Sequence, residues 1–397
     1  VCDKRIAAAG LVLAALLLTP VLRADDLDLG QPEPAENAVA WSGDLFIRSE
    51  RLRSWAKGDN ESRTWARLRY GPTWQINDQW TLGAAAKLHA STDGNEDTVN
   101  YNDNELARHL SLDKWFVAYS PAEGDRLIVG KDEFPLTLSR MLWDPDNRPA
   151  GVSYTWQTKF GDDDRLRLTG GAFRGLFMDG DLSKAAVAQF PENSVFYPQD
   201  SSRIGAFQAD LNLHEQATVQ PEFVLSYLHF TDLNPLLGAG EDRGNPAPAT
   251  VSCNPYSSVC ILSAPPVFLD QFEIVDLQFA LHVHTETPFR LLLDVDQNQG
   301  AVGDDKRAER MELALGDSFV GGGNEFGYAK EHIGASAAQG AFNDDDWWFH
   351  AGMRGDMLWY GYGISDTLRL RLGYFWERPD GSNWHWRRAM LDLQVKL

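Results

Sequence analysis

The residues best suited to covalent or metal chemistry are few and poorly grouped. His282 and His284 stand two apart, so an extended strand would carry both on one face, a spacing compatible with metal binding. A catalytic zinc site asks for about three protein ligands; with no third ligand beside them, these histidines are read as polar lining residues. The aspartate runs at residues 162–164 and 344–346 could attract divalent cations, but such runs are more commonly solvated turns. There is no G-x-S-x-G elbow, no H-E-x-x-H, no phosphate-cradling glycine loop and no metal-spaced Cys or His set. Of the three cysteines, Cys2 lies in the N-terminal segment, while Cys253 and Cys260 close the run C-N-P-Y-S-S-V-C. In an oxidising compartment two such thiols are expected to pair, contributing on the order of 2 kcal/mol; a metal site there would need a neighbouring His or a further Cys. No enzymatic activity and no cofactor are expected.

The charged residues are more informative, because they recur at every second position. From Trp80, the residues Leu82, Ala84, Ala86, Leu88 and Ala90 share one face, with Lys87 and His89 on the other. Ala66, Leu68 and Tyr70 oppose Arg63, Arg67 and Arg69; Val275, Leu277, Phe279 and Leu281 oppose Asp276, Gln278 and His282; Leu368, Leu370 and Leu372 oppose Arg369 and Arg371. A period of two sustained for about ten residues is the length of a tilted membrane strand, whereas the strands of a soluble sandwich are commonly half as long. Short turns rich in Gly, Pro, Asn and Asp alternate with longer polar segments, as in an up-and-down barrel with short periplasmic turns and long extracellular loops. The expected fold is all-β: a transmembrane antiparallel barrel of about sixteen strands from near Trp41 to Leu397, with fourteen or eighteen as alternatives.

If the apolar faces meet lipid, the other faces line the lumen. The early and late strands then supply Arg48, Arg63, Arg67, Arg69, Lys87, Arg369, Arg371 and Arg388, which closure of the barrel would join into one basic sector. The middle strands supply Asp210, Glu222, Asp276, Asp294, Glu312 and Asp356, an acidic sector facing it. Opposed charges would set a field across a wet interior; the alternative is that arginines pair with neighbouring acids simply to stabilise a polar wall. The segment at residues 135–150, P-L-T-L-S-R-M-L-W-D-P-D-N-R-P-A, is too apolar for a loop surrounded by solvent. It is expected to fold inward and narrow the lumen, with Arg140, Asp144, Asp146 and Arg148 at the constriction. Packing at the rim or against a neighbouring subunit is the alternative.

The ends and the composition fit an exported chain. Lys4 and Arg5 precede an apolar run at residues 6–18, and Ala24 lies ahead of Asp25 and Asp26, the layout of a secretory signal peptide; a membrane anchor or buried helix is the alternative. The expected organisation is a signal at residues 1–24 and one barrel domain at 25–397. Its removal changes the net charge from −21 to −23 and leaves 373 of 397 residues. So acidic a chain is a poor nucleic-acid binder, and its 14 tryptophans favour a large β architecture or a membrane interface.

The stretch V-G-K-D-E-F-P-L-T-L-S-R-M-L-W-D-P-D-N-R-P-A-G-V-S-Y, residues 129–154, resembles a segment of a porin family of Gram-negative outer membranes. In that family a glycine-basic pair and a proline lead to an aspartate-rich tract and a G-V-x-x-Y strand. P-F-R-L-L-L-D-V-D-Q-N, residues 288–298, and the tract 326–346 resemble its later hairpins. The resemblance implies a sixteen- to eighteen-stranded channel in the cell outer membrane, passively passing small hydrophilic or ionic solutes and in contact with lipid and lipopolysaccharide, as a homotrimer in some cases. One departure is that such barrels usually end in an aromatic residue, read by the insertion machinery, whereas this chain ends in Leu397. Two other functions compete: a channel or exporter selective for anionic solutes, similar to alginate-export or phosphate-selective porins, and a secreted β-rich enzyme or adhesin with no pore.

Overall fold

The period-two pattern is what the backbone follows. In the computed structural model, residues 38–54, 60–91, 108–161, 163–174, 203–231, 251–253, 260–262, 271–301, 304–340, 342–344, 346–347, 349–383 and 385–397 are described. Sixteen antiparallel strands form a closed barrel in which chain neighbours pair and the last strand returns to the first. They are β1 (Ala38–Ser54), β2 (Asn60–Gln75), β3 (Trp80–Ser91), β4 (Arg108–Tyr119), β5 (Arg126–Lys131), β6 (Ala150–Phe160), β7 (Asp164–Arg174), β8 (Arg203–Asn212) and β9 (Val219–Thr231). After a separate two-stranded hairpin of β10 (Val251–Cys253) and β11 (Cys260–Leu262), the barrel resumes with β12 (Phe272–Val283), β13 (Phe289–Asn298), β14 (Arg307–Gly316), β15 (Asn324–Ile333), β16 (Met353–Ser365), β17 (Leu368–Pro379) and β18 (Trp386–Lys396). The strand count expected from the alternation is the one observed. Among the described residues no helix is long and apolar enough to cross a membrane.

The outer face is apolar and carries an aromatic belt at the short-turn rim, where Trp41, Tyr70, Trp74, Trp80, Phe160, Phe223, Phe326 and Tyr362 are exposed. Such rings sit at the level of lipid headgroups, and a closed barrel leaves no unpaired backbone in the hydrocarbon.

The core lies inside the barrel. On the wall from β7 to β18, in the half nearer the long loops, the inner face turns apolar: Phe173, Ile204, Leu228, Phe230, Phe272, Ile274, Ile333, Met353 and Phe375 are buried. Two loops fold in to cover them, residues 132–149 bringing Met141, Leu142 and Trp143, and residues 334–352 bringing Ala337, Ala338, Phe342 and Trp347. Each of the larger buried side chains contributes about 1.5–3 kcal/mol to docking. Trp143 stacks between Phe134 and Phe342 at centroid distances of 4.0 and 5.0 Å, and Trp347 meets Phe375 edge-on at 5.1 Å. Gly355 makes that fit feasible, since a Cβ there would lie 2.4 Å from the Trp347 ring. Gly327 likewise yields its place to Trp359, whose ring would come within 1.9 Å of a Cβ.

Candidate functional site

Below the apolar plug, at mid-height, the lumen narrows between the wall of β1, β2, β17 and β18 and the two inserted loops. Arg48 on β1 donates from Nε and Nη2 to the two carboxylate oxygens of Asp392 on β18, at 2.7 and 3.0 Å, and pairs with Asp346 of the second loop. Arg388 donates to Glu50 at 2.6 Å and to the Asp346 carbonyl at 2.9 Å, and Arg63 pairs with the same Glu50. Arg67 and Arg69 on β2 hold Asp146 of the first loop, the Arg69 bond measuring 2.9 Å. Lys87 points inward on β3, in register with Arg69. Arg369 and Arg371 are inward but less closely matched: their nearest carboxylates are Glu325 at 4.0 Å and Asp346 at 3.7 Å.

The loop residues complete the narrowing. Arg140 donates to Asp344 at 2.9 Å and to Asp346 at 3.3 Å, and Arg148 pairs with Asp113 on β4. Asp144 accepts the backbone N–H of Asp146 at 2.7 Å, while its own N–H donates to the Phe342 carbonyl at 2.6 Å, tying the two loops together. Thr137 anchors the first loop to the opposite wall, its N–H donating to Gln208 at 2.9 Å and its carbonyl accepting from Gln208 and Gln278 at 2.8 and 3.2 Å.

Burial and charge pull these loop carboxyls in opposite directions. Burial acts to raise Asp146, but Arg67 and Arg69 overcome it and hold the group well below the usual carboxylate range. At Asp346 burial is likewise overcome, by Arg48, Arg140 and Arg371. Asp144 is pushed upward by burial and by Asp146 and Asp344. Asp344 is raised by burial and by Asp346, against the pull of Arg140. Arg140 is raised by Asp344, against its own burial.

On the other wall, Asp210 receives Arg167 and Asn212, Glu222 faces His282 at 3.4 Å, and Asp276 accepts from Ser226 at 2.7 Å and Gln278 at 2.8 Å. Glu312 is held by Arg310 at 2.7 Å and by Arg290, and Asp294 is buried on the inner face. Asp356 corrects the sequence expectation: it shares the outer face of β16 with Leu358 and Tyr362 and accepts from the Tyr328 hydroxyl at 2.5 Å. The apolar face of β16 is the inner one here, because Gly355 and Met357 receive the second loop. The picture of a basic sector facing an acidic one also changes, since Glu50, Asp392, Asp113 and the loop aspartates stand among the arginines and pair with them.

Sequence reasoning missed the second loop. Asp344 and Asp346 were expected in a solvated turn and are buried at the constriction; the signal was the run of small residues before them and the tryptophan after. His282 lies on the inner face at the end of β12 and His284 is exposed in the turn beyond it, their rings 6.4 Å apart and His284 hydrogen bonded to Gln220 at 3.0 Å. Asp162 lies outside the described residues, as does the whole of the expected signal at 1–24; Asp164 accepts the His214 N–H at 2.9 Å. The hairpin register sets Cys253 opposite Cys260.

Between the constriction and the short-turn rim lies a cavity of about 270 Å³ whose lining includes Arg48, Arg67, Asp146, Asp346, Arg369 and Lys396. A charged, water-accessible space of this kind orients polar solutes and offers nothing to apolar ones.

No protein-family model matches the chain, and no curated protein matches it. Solved structures do. OprB of Pseudomonas putida at high pH is 12% identical, with a TM-score of 0.55 over 91% of this chain and 94% of that one. An anion-selective porin from Comamonas acidovorans is 12% identical, with a TM-score of 0.53 over 91% and 100%. OmpF of Salmonella typhi, in complex with daunomycin, is 11% identical, with a TM-score of 0.52 over 91% and 98%. The likeness runs through the whole barrel, and the chain has the fold of the outer-membrane porins.

Proposed function

We propose that this chain is an outer-membrane porin, a water-filled channel through which small hydrophilic solutes diffuse passively. The observation that carries the proposal is the charged constriction built by residues 132–149 and 334–352 inside a barrel with an apolar, aromatic-belted exterior. Its companions are lipid and lipopolysaccharide on that exterior and small ionic or hydrophilic solutes within; a signal peptide at residues 1–24 would direct export, and a homotrimer is the assembly to test. The activity proposed is transport without chemistry. Planar-bilayer recordings of the refolded protein test this: ohmic steps with weak ion selectivity are expected, and a refolded barrel that gives no conductance would overturn it.

One observation favours a second reading, a channel selective for anions. Arg369, Arg371 and Lys396 face the cavity with no carboxylate of the described residues within 3.5 Å, and the Phe319 ring carries Arg369 at 3.8 Å and Lys396 at 4.8 Å. Their charge is therefore only partly offset. Block of conductance by an anionic ligand, with a strongly anion-biased reversal potential, would move the assignment to this reading.

A further inference from the structure

The inner wall holds one group of charges that transport does not use. Asp276 and Asp296 are register partners across β12 and β13, and Asp294 stands two residues away on the same inward face. All three are at most 2% exposed, and an oxygen from each lies within 4.8 Å of the others. Ser226 and Gln278 serve one oxygen of Asp276. The remaining five, Asp276 Oδ1 and both oxygens of Asp294 and Asp296, have no hydrogen-bond donor. The neighbouring cation is Arg310, opposite Asp294 in register; its Nη1 and Nη2 pair with Glu331 and Glu312, and its Nε makes no hydrogen bond to the cluster. From the covering loop, the buried Ser139 hydroxyl stands beside Asp294, close enough to act on its carboxyl but without a hydrogen bond of ordinary geometry.

Three carboxylates packed together with donors to only one of their oxygens are costly to bury unless something positive joins them. Calcium takes about six to eight oxygens in a flexible shell, whereas magnesium keeps several of its own waters. Five free carboxylate oxygens and a hydroxyl make a hard, all-oxygen donor set of the number calcium takes. The partly exposed trio of Asp305, His332 and Asp380 differs: Arg354 and the Ala335 N–H already serve it.

We propose that Asp276, Asp294 and Asp296, with the Ser139 hydroxyl, bind a divalent cation of the calcium class that pins the constriction loop to the β12–β13 wall. The site does not depend on what the channel passes. Calcium chloride titrated into the refolded full-length barrel, after chelation with EDTA and followed by calorimetry and melting, tests it. One saturable ion per chain and a raised melting temperature are expected, both lost in D294N/D296N. A second measurement uses wild type alone: terbium luminescence should appear on binding and be displaced by calcium but not by potassium. If calcium binds the variant as it binds wild type, or if EDTA and calcium leave the wild-type melt unchanged, protons rather than a metal neutralise the cluster and the proposal falls.

Discussion

Replacing Asp346 by Asn isolates the electrostatics of the constriction. Asp346 is 4% exposed and serves Arg48, Arg140 at 3.3 Å and Arg371 at 3.7 Å. Arg48 keeps Asp392 and Arg140 keeps Asp344, so Arg371 is the guanidinium left without a carboxylate. Removing one partner of a buried pair costs about 3–5 kcal/mol when the other is stranded; with two of three arginines still matched, the low end applies, and it falls on docking of residues 334–352 rather than on the barrel. The lumen also gains one positive charge. At about 5 Å in water, a unit charge is worth roughly 0.8 kcal/mol to a passing monovalent ion, about fourfold in favour of an anion and as much against a cation. The permeability ratio should therefore move towards anions by about an order of magnitude before screening and by a few-fold in about 0.1 M salt. Reversal potentials in a potassium chloride gradient, wild type against D346N, measure this directly. An unchanged potential, or one displaced towards cations, would show that Asp346 does not face the path of ions.

Three further outcomes follow from the same geometry. Because burial raises Asp144 and Asp344 while neighbouring arginines lower Asp146 and Asp346, the first two take up protons at higher pH than the other two. Groups raised in the folded state take up protons more readily there than in the unfolded chain, so docking is favoured as pH falls towards about 4 and weakens only when Asp146 and Asp346 protonate below that. Anion preference should grow across the first interval, which a pH series of reversal potentials would reveal; a flat series contradicts it. Deleting residues 135–150 should enlarge single-channel conductance, and an unchanged step size would place the constriction elsewhere. If Cys253 and Cys260 are bonded, thiol titration of the unfolded, unreduced mature chain finds no free thiol, and two free thiols would exclude the bridge.

The barrel was legible because membrane strands repeat a period of two over ten or more residues, and the count held even through β4 and β14, whose faces are mixed. The inside was only half legible. Sequence alternation identifies two faces but assigns the apolar one to lipid by assumption, and that assumption fails on β16, where Met353 and Met357 point inward beneath the second loop and Asp356 points out. The inward fold of residues 132–149 could be read from its mixture of tryptophan, leucine and charge. Residues 334–352 offered mainly small side chains, whose value lies in letting backbones approach, and a three-aspartate run that looks like any turn. Counter-ions such as Asp392 for Arg48, 344 positions apart, become partners through closure and through register, neither of which local pattern encodes.

The seam between the first and last strands has its own implication for assembly. Arg48 with Asp392 and Glu50 with Arg388 bridge β1 and β18. A half-inserted sheet with both edges open would break both pairs, leaving Asp392 without its guanidinium and Arg48, Glu50 and Arg388 only with Asp346 and Arg63, and unmatched charge at the hydrocarbon is penalised severely. The tail of the chain must therefore meet its head before the lipid seals around them, so that zipping up the cylinder and entering the bilayer become a single event.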